Sequence, residues 1–168
     1  MSCDSINTCK KGTALNAWLP FLLVLVVLAG DYVSKYWIQA NLPLAFQIPV
    51  FTNFLGIDFA LTHATNRGAA WGMLAQYHTY LFYFRIALVF GLVVYTLFYN
   101  KNPSWRYPLA LIIAGALGNI FDFFIYGHVV DMFRFVFWGY SYPVFNIADS
   151  AIFLGVAWLF VLSWGKKE

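Results

Sequence analysis

The sequence predicts an all-α membrane protein: four transmembrane helices, with a small extracytoplasmic β-rich element between the first and the second. Three observations carry this. Hydrophobic residues make up 62% of the chain and charged residues only 10%, whereas soluble domains carry about 25% charged residues. Four apolar stretches each approach the ~20 residues needed to cross ~30 Å of hydrocarbon. Lysine and arginine gather on one side of those stretches. The formal charge of +3 is small and scattered, which argues against a nucleic-acid partner.

In chain order, Met1–Asn16 is a polar leader carrying Lys10 and Lys11. The apolar run behind it is too long for a signal-peptide core and no small-residue cleavage site closes it, so it stays as an anchor. Cys3 and Cys9 both lie in this leader and read as free, reduced thiols. The spans fall at about residues 17–38, 80–99, 107–126 and 147–164, within a single domain covering 1–168. Each must be helical, because lipid offers the backbone no hydrogen-bond partners. Between the first two spans, residues 42–66 carry Pro43 and Pro49 and an imperfect alternation of apolar residues, which predicts short strands on the membrane surface. The aromatic-rich segments 78–84 and 133–142 suit the headgroup layer.

Orientation follows from charge. With both termini cytoplasmic, Lys10, Lys11, Lys101, Arg106, Lys166 and Lys167 lie inside, against Lys35, Arg67 and Arg134 at or beyond the outer face. Arg85 falls within the second span, where it either snorkels or pairs with a buried acid.

The chemistry concentrates between Gly115 and Ser150, where Asp122, Asp131 and Asp149 sit beside or inside apolar segments. An ionisable group at bilayer depth costs roughly 2.5–3.5 kcal/mol on insertion scales, so such acids are functional candidates. Asp131 follows the third span within Val129-Val130-Asp131-Met132-Phe133, which opposes full solvation. Asp149 opens the fourth within Asn146-Ile147-Ala148-Asp149. There, helix capping is a sufficient structural reason for an acid, and the helix dipole would favour its charged form. The connection between them can bring the two acids face to face, a pair suited to general acid–base hydrolysis of a peptide bond. Asp149 is the better base and Asp131 the better protonated acid.

Gly115, Gly118, Asn119 and Asp122 share one face of the third helix. The glycines read as close helix packing. Asn119 and Asp122 need partners, and Asp31 and Lys35, an i,i+4 pair near the outer end of the first helix, are within topological reach. Asp31 reads first as support and second as a substrate contact. Residues 65–71 form a turn signal. His63, His78 and His128 share no metal-ligand spacing, so neither metal nor cofactor is expected.

Two other classes fit intramembrane acids: a proton- or ion-coupled transporter, and a non-enzymatic assembly factor using the acids as helix–helix glue. Four spans with no internal repeat speak against the transporter.

Taken together, the motifs resemble the lipoprotein signal peptidase family (signal peptidase II) of bacteria. They run in order as Asp31-x-x-x-Lys35, then Asn66-x-Gly68-Ala69, then Gly118-Asn119-x-x-Asp122. Val129-Val130-Asp131 and Phe145-Asn146-x-Ala148-Asp149 follow. The resemblance implies an aspartic endopeptidase of the bacterial inner membrane; the chain is expected to act as a monomer and without a metal, with its active site at the periplasmic face among membrane lipids. Its substrates would be prolipoproteins whose cysteine carries a diacylglyceryl group, cleaved on the N-terminal side of that cysteine. It implies that Asp131 and Asp149 are catalytic and that Asn66, Gly68, Asn119 and Asn146 line the site. One position departs from the pattern: an arginine commonly follows the aspartate of Gly-Asn-x-x-Asp, and here it is Phe123. Whether Arg134 or Arg67 replaces that charge is open at this level.

Overall fold

A computed structural model describes residues 6–68, 73 and 75–164. Cys3, Ala69, Ala70, Trp71, Lys166 and Lys167 lie outside the described residues, as do the side chains of residues 6–17. The elements are α1 (Ile6–Asn41), β1 (Gln47–Phe54), β2 (Ile57–Asn66), α2 (His78–Val94), α3 (Arg106–Tyr126), β3 (Val129–Phe137), β4 (Tyr140–Ser141) and α4 (Ile147–Trp164). Four helical segments are long and apolar enough to cross a membrane: Trp18–Asn41, His78–Tyr99, Pro103–Tyr126 and Ile147–Trp164. The second includes a π-helical turn, Tyr95–Tyr99, that continues α2. Their outward residues, such as Phe21, Leu25, Phe90, Phe153 and Val161, are exposed apolar side chains facing where lipid would be.

Helix α3 is the centre of the bundle and packs against α1, α2 and α4. Small residues set these approaches. A Cβ on Gly115 would collide with the Ala148 carbonyl oxygen. One on Gly118 would sit 2.6 Å from Asp31 Oδ2, and one on Gly155 2.6 Å from Ile112 Cγ1. Backbones therefore meet where side chains would hold them apart, the usual route to tight helix packing in lipid. Helix α3 ends at Gly127, which takes a left-handed φ of 73° and returns its N–H to the Phe123 carbonyl. That reversal sends the chain directly into β3.

The four strands form one antiparallel sheet in the order β1-β2-β3-β4. The expected β-rich element lay wholly between the first two helices. The structure enlarges it, because β3 and β4 come from the connection between α3 and α4 and complete the same sheet. Residues 133–137 of the aromatic-rich segment are thus strand residues paired with β2. Their rings stack across the strands, with Phe59 and Phe135 centroids 4.5 Å apart. Asp131, expected just past the third span, stands on β3 opposite Ala64 of β2.

Strand alternation then decides where Asp131 points. Its neighbours Val130 and Met132 join Ile38 and Leu42 of the α1 end in a small buried cluster against which Tyr126 and Phe133 pack. Successive strand residues face opposite ways, so anchoring Val130 and Met132 in that cluster turns Asp131 to the other side.

Candidate active site

Asp131 arrives from β3 and Asp149 from the first turn of α4, and both line one cavity of about 300 Å³. Asn66 and Gly68 from the end of β2, Asn119 from α3 and Arg85 from α2 line the same space.

The start of α4 is built by a reciprocal cap. Asn146 Oδ1 accepts the Asp149 N–H at 2.8 Å, and the Asn146 N–H donates back to Asp149 Oδ2 at 3.3 Å. The capping that sufficed to explain Asp149 is therefore present, and Asp149 also lines the cavity. The Asn146 amide, wholly buried, donates to Asp131 Oδ1 at 2.7 Å and lies 3.2 Å from the Val130 carbonyl. One asparagine thus grips one acid through its oxygen and the other through its nitrogen. Asn66 is held likewise: its Oδ1 accepts the Gly68 N–H at 2.9 Å, and its side chain hydrogen-bonds Asp131.

Behind the cavity lies a buried ionic hub. Lys35 Nζ contacts Asp31 Oδ2 at 2.6 Å, Asp122 Oδ2 at 2.8 Å and Asn119 Oδ1 at 3.1 Å. An ammonium has three N–H bonds, and these contacts use all of them. Each acid is also tied to the site by its other contacts. Asp31 Oδ1 accepts the Ala148 N–H at 2.8 Å, satisfying a backbone donor in the first turn of α4. Asp122 Oδ2 accepts the Val130 N–H at 3.0 Å, next to Asp131. Asn119 passes the arrangement forward by donating Nδ2 to Asp149 Oδ1 at 2.8 Å. Ala148 is buried with its Cβ against the open face of Gly118.

The ten residues singled out in the sequence therefore divide. Asp131, Asp149, Asn66, Gly68 and Asn119 line the cavity. Asp31, Lys35, Asp122, Asn146 and Ala148 are buried and hold those residues in place. Neither Arg67 nor Arg134 lines the cavity: Arg67 is exposed, and Arg134 bonds Gln47 Oε1 on the sheet. Phe123 stacks on Phe82 of α2 and beside His78. The cavity also holds Arg85, which the sequence left between two readings and did not place at the site. The available signal was an arginine inside a span, which by default marks a functional site.

Electrostatics distinguish Asp131. Burial, followed by the charge of Asp149, raises its pKa from the ordinary 3.8 to about 7, partly offset by Asn66, Lys35 and Asn146. Asp131 thus carries a proton into the neutral range. His128 is pushed down by burial, then by Arg67 and His63, so it is neutral there. Among the described residues no group of three or more His, Cys, Asp or Glu side chains is spaced to hold a metal.

A family model described as signal peptidase (SPase) II matches residues 23–165. The lipoprotein signal peptidase of Bacillus subtilis (strain 168) is 34% identical over 154 residues, covering 89% of this chain and 97% of that one. That of Latilactobacillus sakei subsp. sakei (strain 23K) is 40% identical over 153 residues, covering 89% and 96%. Among solved structures, a bacterial membrane enzyme determined by the in meso method at 2.3 Å superposes with a TM-score of 0.80 at 31% identity, over 90% of this chain and 93% of that one.

Proposed function

The chain belongs to the signal peptidase II family, which removes signal peptides from prolipoproteins, and we propose that it does so as an aspartic endopeptidase with Asp131 and Asp149 as the catalytic pair. The observation that carries this is two carboxylates from different elements lining one cavity, one of them holding a proton near neutral pH. Neither the transporter nor the assembly-factor reading is favoured.

The chemistry needs one charged and one neutral carboxylate. Asp149 accepts N–H bonds from Asn119 and Asn146 and takes the base role. It removes a proton from a water, whose oxygen attacks the scissile carbonyl carbon. Asp131 gives its proton to the carbonyl oxygen as the tetrahedral intermediate forms. On collapse, Asp149 protonates the departing amine and Asp131 recovers a proton from the intermediate's hydroxyl, which restores the starting state.

The substrate we propose is a prolipoprotein with a diacylglyceryl cysteine, cut on the N-terminal side of that cysteine. The cavity lies at the end of the bundle that carries the sheet, where lipid chains can stay in the bilayer while the peptide bond meets water. Both termini are cytoplasmic in this reading, and the cavity opens at the periplasmic face of the inner membrane. The charge distribution supports that orientation, because the buried Lys35 is fully ion-paired and drops out of the outer count. In this reading the enzyme acts as a monomer.

The test is incubation of purified protein with a diacylglyceryl-modified prolipoprotein, following release of the signal peptide. Asp131→Asn and Asp149→Asn should each lower turnover by about 10²–10⁴-fold. The double variant should be little worse than either, because the pair works as one unit. Near-normal cleavage by either single variant removes that residue from the pair.

A further inference from the structure

Arg85 lies seven residues into α2, about 10 Å along the helix from its start. Its Nη2 donates to the Gly68 carbonyl at 2.7 Å, and its side chain lines the cavity. A guanidinium carries five N–H donors, and this is the one protein bond described for it. It interacts electrostatically with both Asp149 and Asp131.

The other charges around the pair make this cation distinctive. Asp131 is faced by Asp149 from α4, by Lys35 from α1 and by Arg85 from α2. Lys35 is already shared between Asp31 of α1 and Asp122 of α3, one cation against two carboxylates, so it brings no surplus positive charge. On the β2 side, Arg67 and His63 act on His128. Among the described residues lining the cavity, Arg85 is the one cation. Position 123, where the family pattern places an arginine, is here a phenyl ring packed on Phe82, one helical turn before Arg85 on α2.

We infer that Arg85 is the counter-cation of the aspartate pair: from α2 it holds the 66–68 turn that aims Asn66 at Asp131, and it keeps positive charge beside the ionised partner. The structural path is continuous, from the Arg85 guanidinium to the Gly68 carbonyl, from the Gly68 N–H to Asn66 Oδ1, and from the Asn66 side chain to Asp131. Arg85 is a positioning residue, acting through Asn66 and through the field at the pair. The inference rests on the acid–base reading of Asp131 and Asp149.

The experiment uses the full chain in detergent with a diacylglyceryl-modified prolipoprotein and measures kcat/KM against pH for wild type, Arg85→Lys and Arg85→Gln. Lysine keeps the charge; glutamine keeps a donor for Gly68 and loses the charge. A cation nearby favours the ionised form of a carboxylate, so its removal makes the pair hold protons more tightly. In Arg85→Gln the alkaline limb should move up by about one pH unit and kcat should fall at least about tenfold. Arg85→Lys should keep the wild-type limb and most of its turnover. The limb is read from whatever fraction folds, so a lower yield does not obscure it. Turnover by Arg85→Lys with none by Arg85→Gln also supports the inference, since the charge separates the two. An Arg85→Gln limb coincident with wild type, or equal inactivity of both variants, overturns it. Failure of the underlying reading looks different: Asp131→Asn would then cleave normally, or wild type would show no alkaline limb.

Discussion

Replacing Lys35 with methionine keeps the length of the side chain and removes the ammonium from the hub. Asp31 and Asp122 are then left facing one another, each 4% exposed or less, and Asn119 Oδ1 loses a donor. Breaking a buried ion pair by removing one partner costs about 3–5 kcal/mol, because the remaining charge stays desolvated. For a chain of this size each kcal/mol moves Tm by about 2–4 °C, so Lys35→Met should lower Tm in detergent by about 6–20 °C. Activity should fall with it, since Asp31 seats the Ala148 N–H and Asn119 seats Asp149. The penalty is one of unpaired charge, so a second substitution should relieve it. Lys35→Met combined with Asp122→Asn should be more stable than Lys35→Met alone, a coupling of opposite sign to simple loss of contacts. Thermal denaturation followed by tryptophan fluorescence gives both numbers. A Lys35→Met Tm within about 2 °C of wild type, or a double variant less stable than the single one, would refute the charge argument.

Because the folded pKa of Asp131 is raised, the folded chain binds more protons than the unfolded chain between about 3.8 and about 7. The stability this group contributes is full below that window, falls as pH rises through it and is level above; Asp131→Asn should flatten the corresponding slope of Tm against pH. The same proton predicts an alkaline limb of kcat/KM near pH 7, seen in the pH profile of wild type. Gly118→Ala places a methyl group 2.6 Å from Asp31 Oδ2 and should lower stability by about 1–3 kcal/mol while reducing activity, measured by Tm and turnover together. Reporter fusions after Lys101 and after Glu168 should read cytoplasmic and one near Asn53 external; the reverse pattern would place the aspartate pair on the cytoplasmic side.

The four helices were legible because the constraint behind them is local. A stretch of about twenty apolar residues either spans hydrocarbon or does not, and no distant residue changes that. The acids stood out for the same reason, as groups expensive at their depth. Short strands in residues 42–66 were readable from turn signals and partial alternation. The run Val129–Phe137 was not, because its nearly continuous apolar character hides a period of two, and only pairing with β2 reveals it as strand. Arg85 left two readings open, snorkelling or pairing with a buried acid; its described hydrogen bond goes instead to the Gly68 carbonyl, whose place in space only the fold decides.

What the sequence determined by itself is the solvent of each segment and the identity of the groups able to do chemistry. What the tertiary structure decided is their division of labour: Asp131 and Asp149 in the cavity, Asp31 and Asp122 behind it on Lys35. These four acids are chemically identical. Their roles follow from contacts such as Asp31 to Ala148, 117 residues apart, and Lys35 to Asn119, 84 apart. A carboxylate's charge state depends on the donors, cations and water within a few ångströms of it, and in a bundle of four helices and a sheet that surrounding is assembled from every part of the chain.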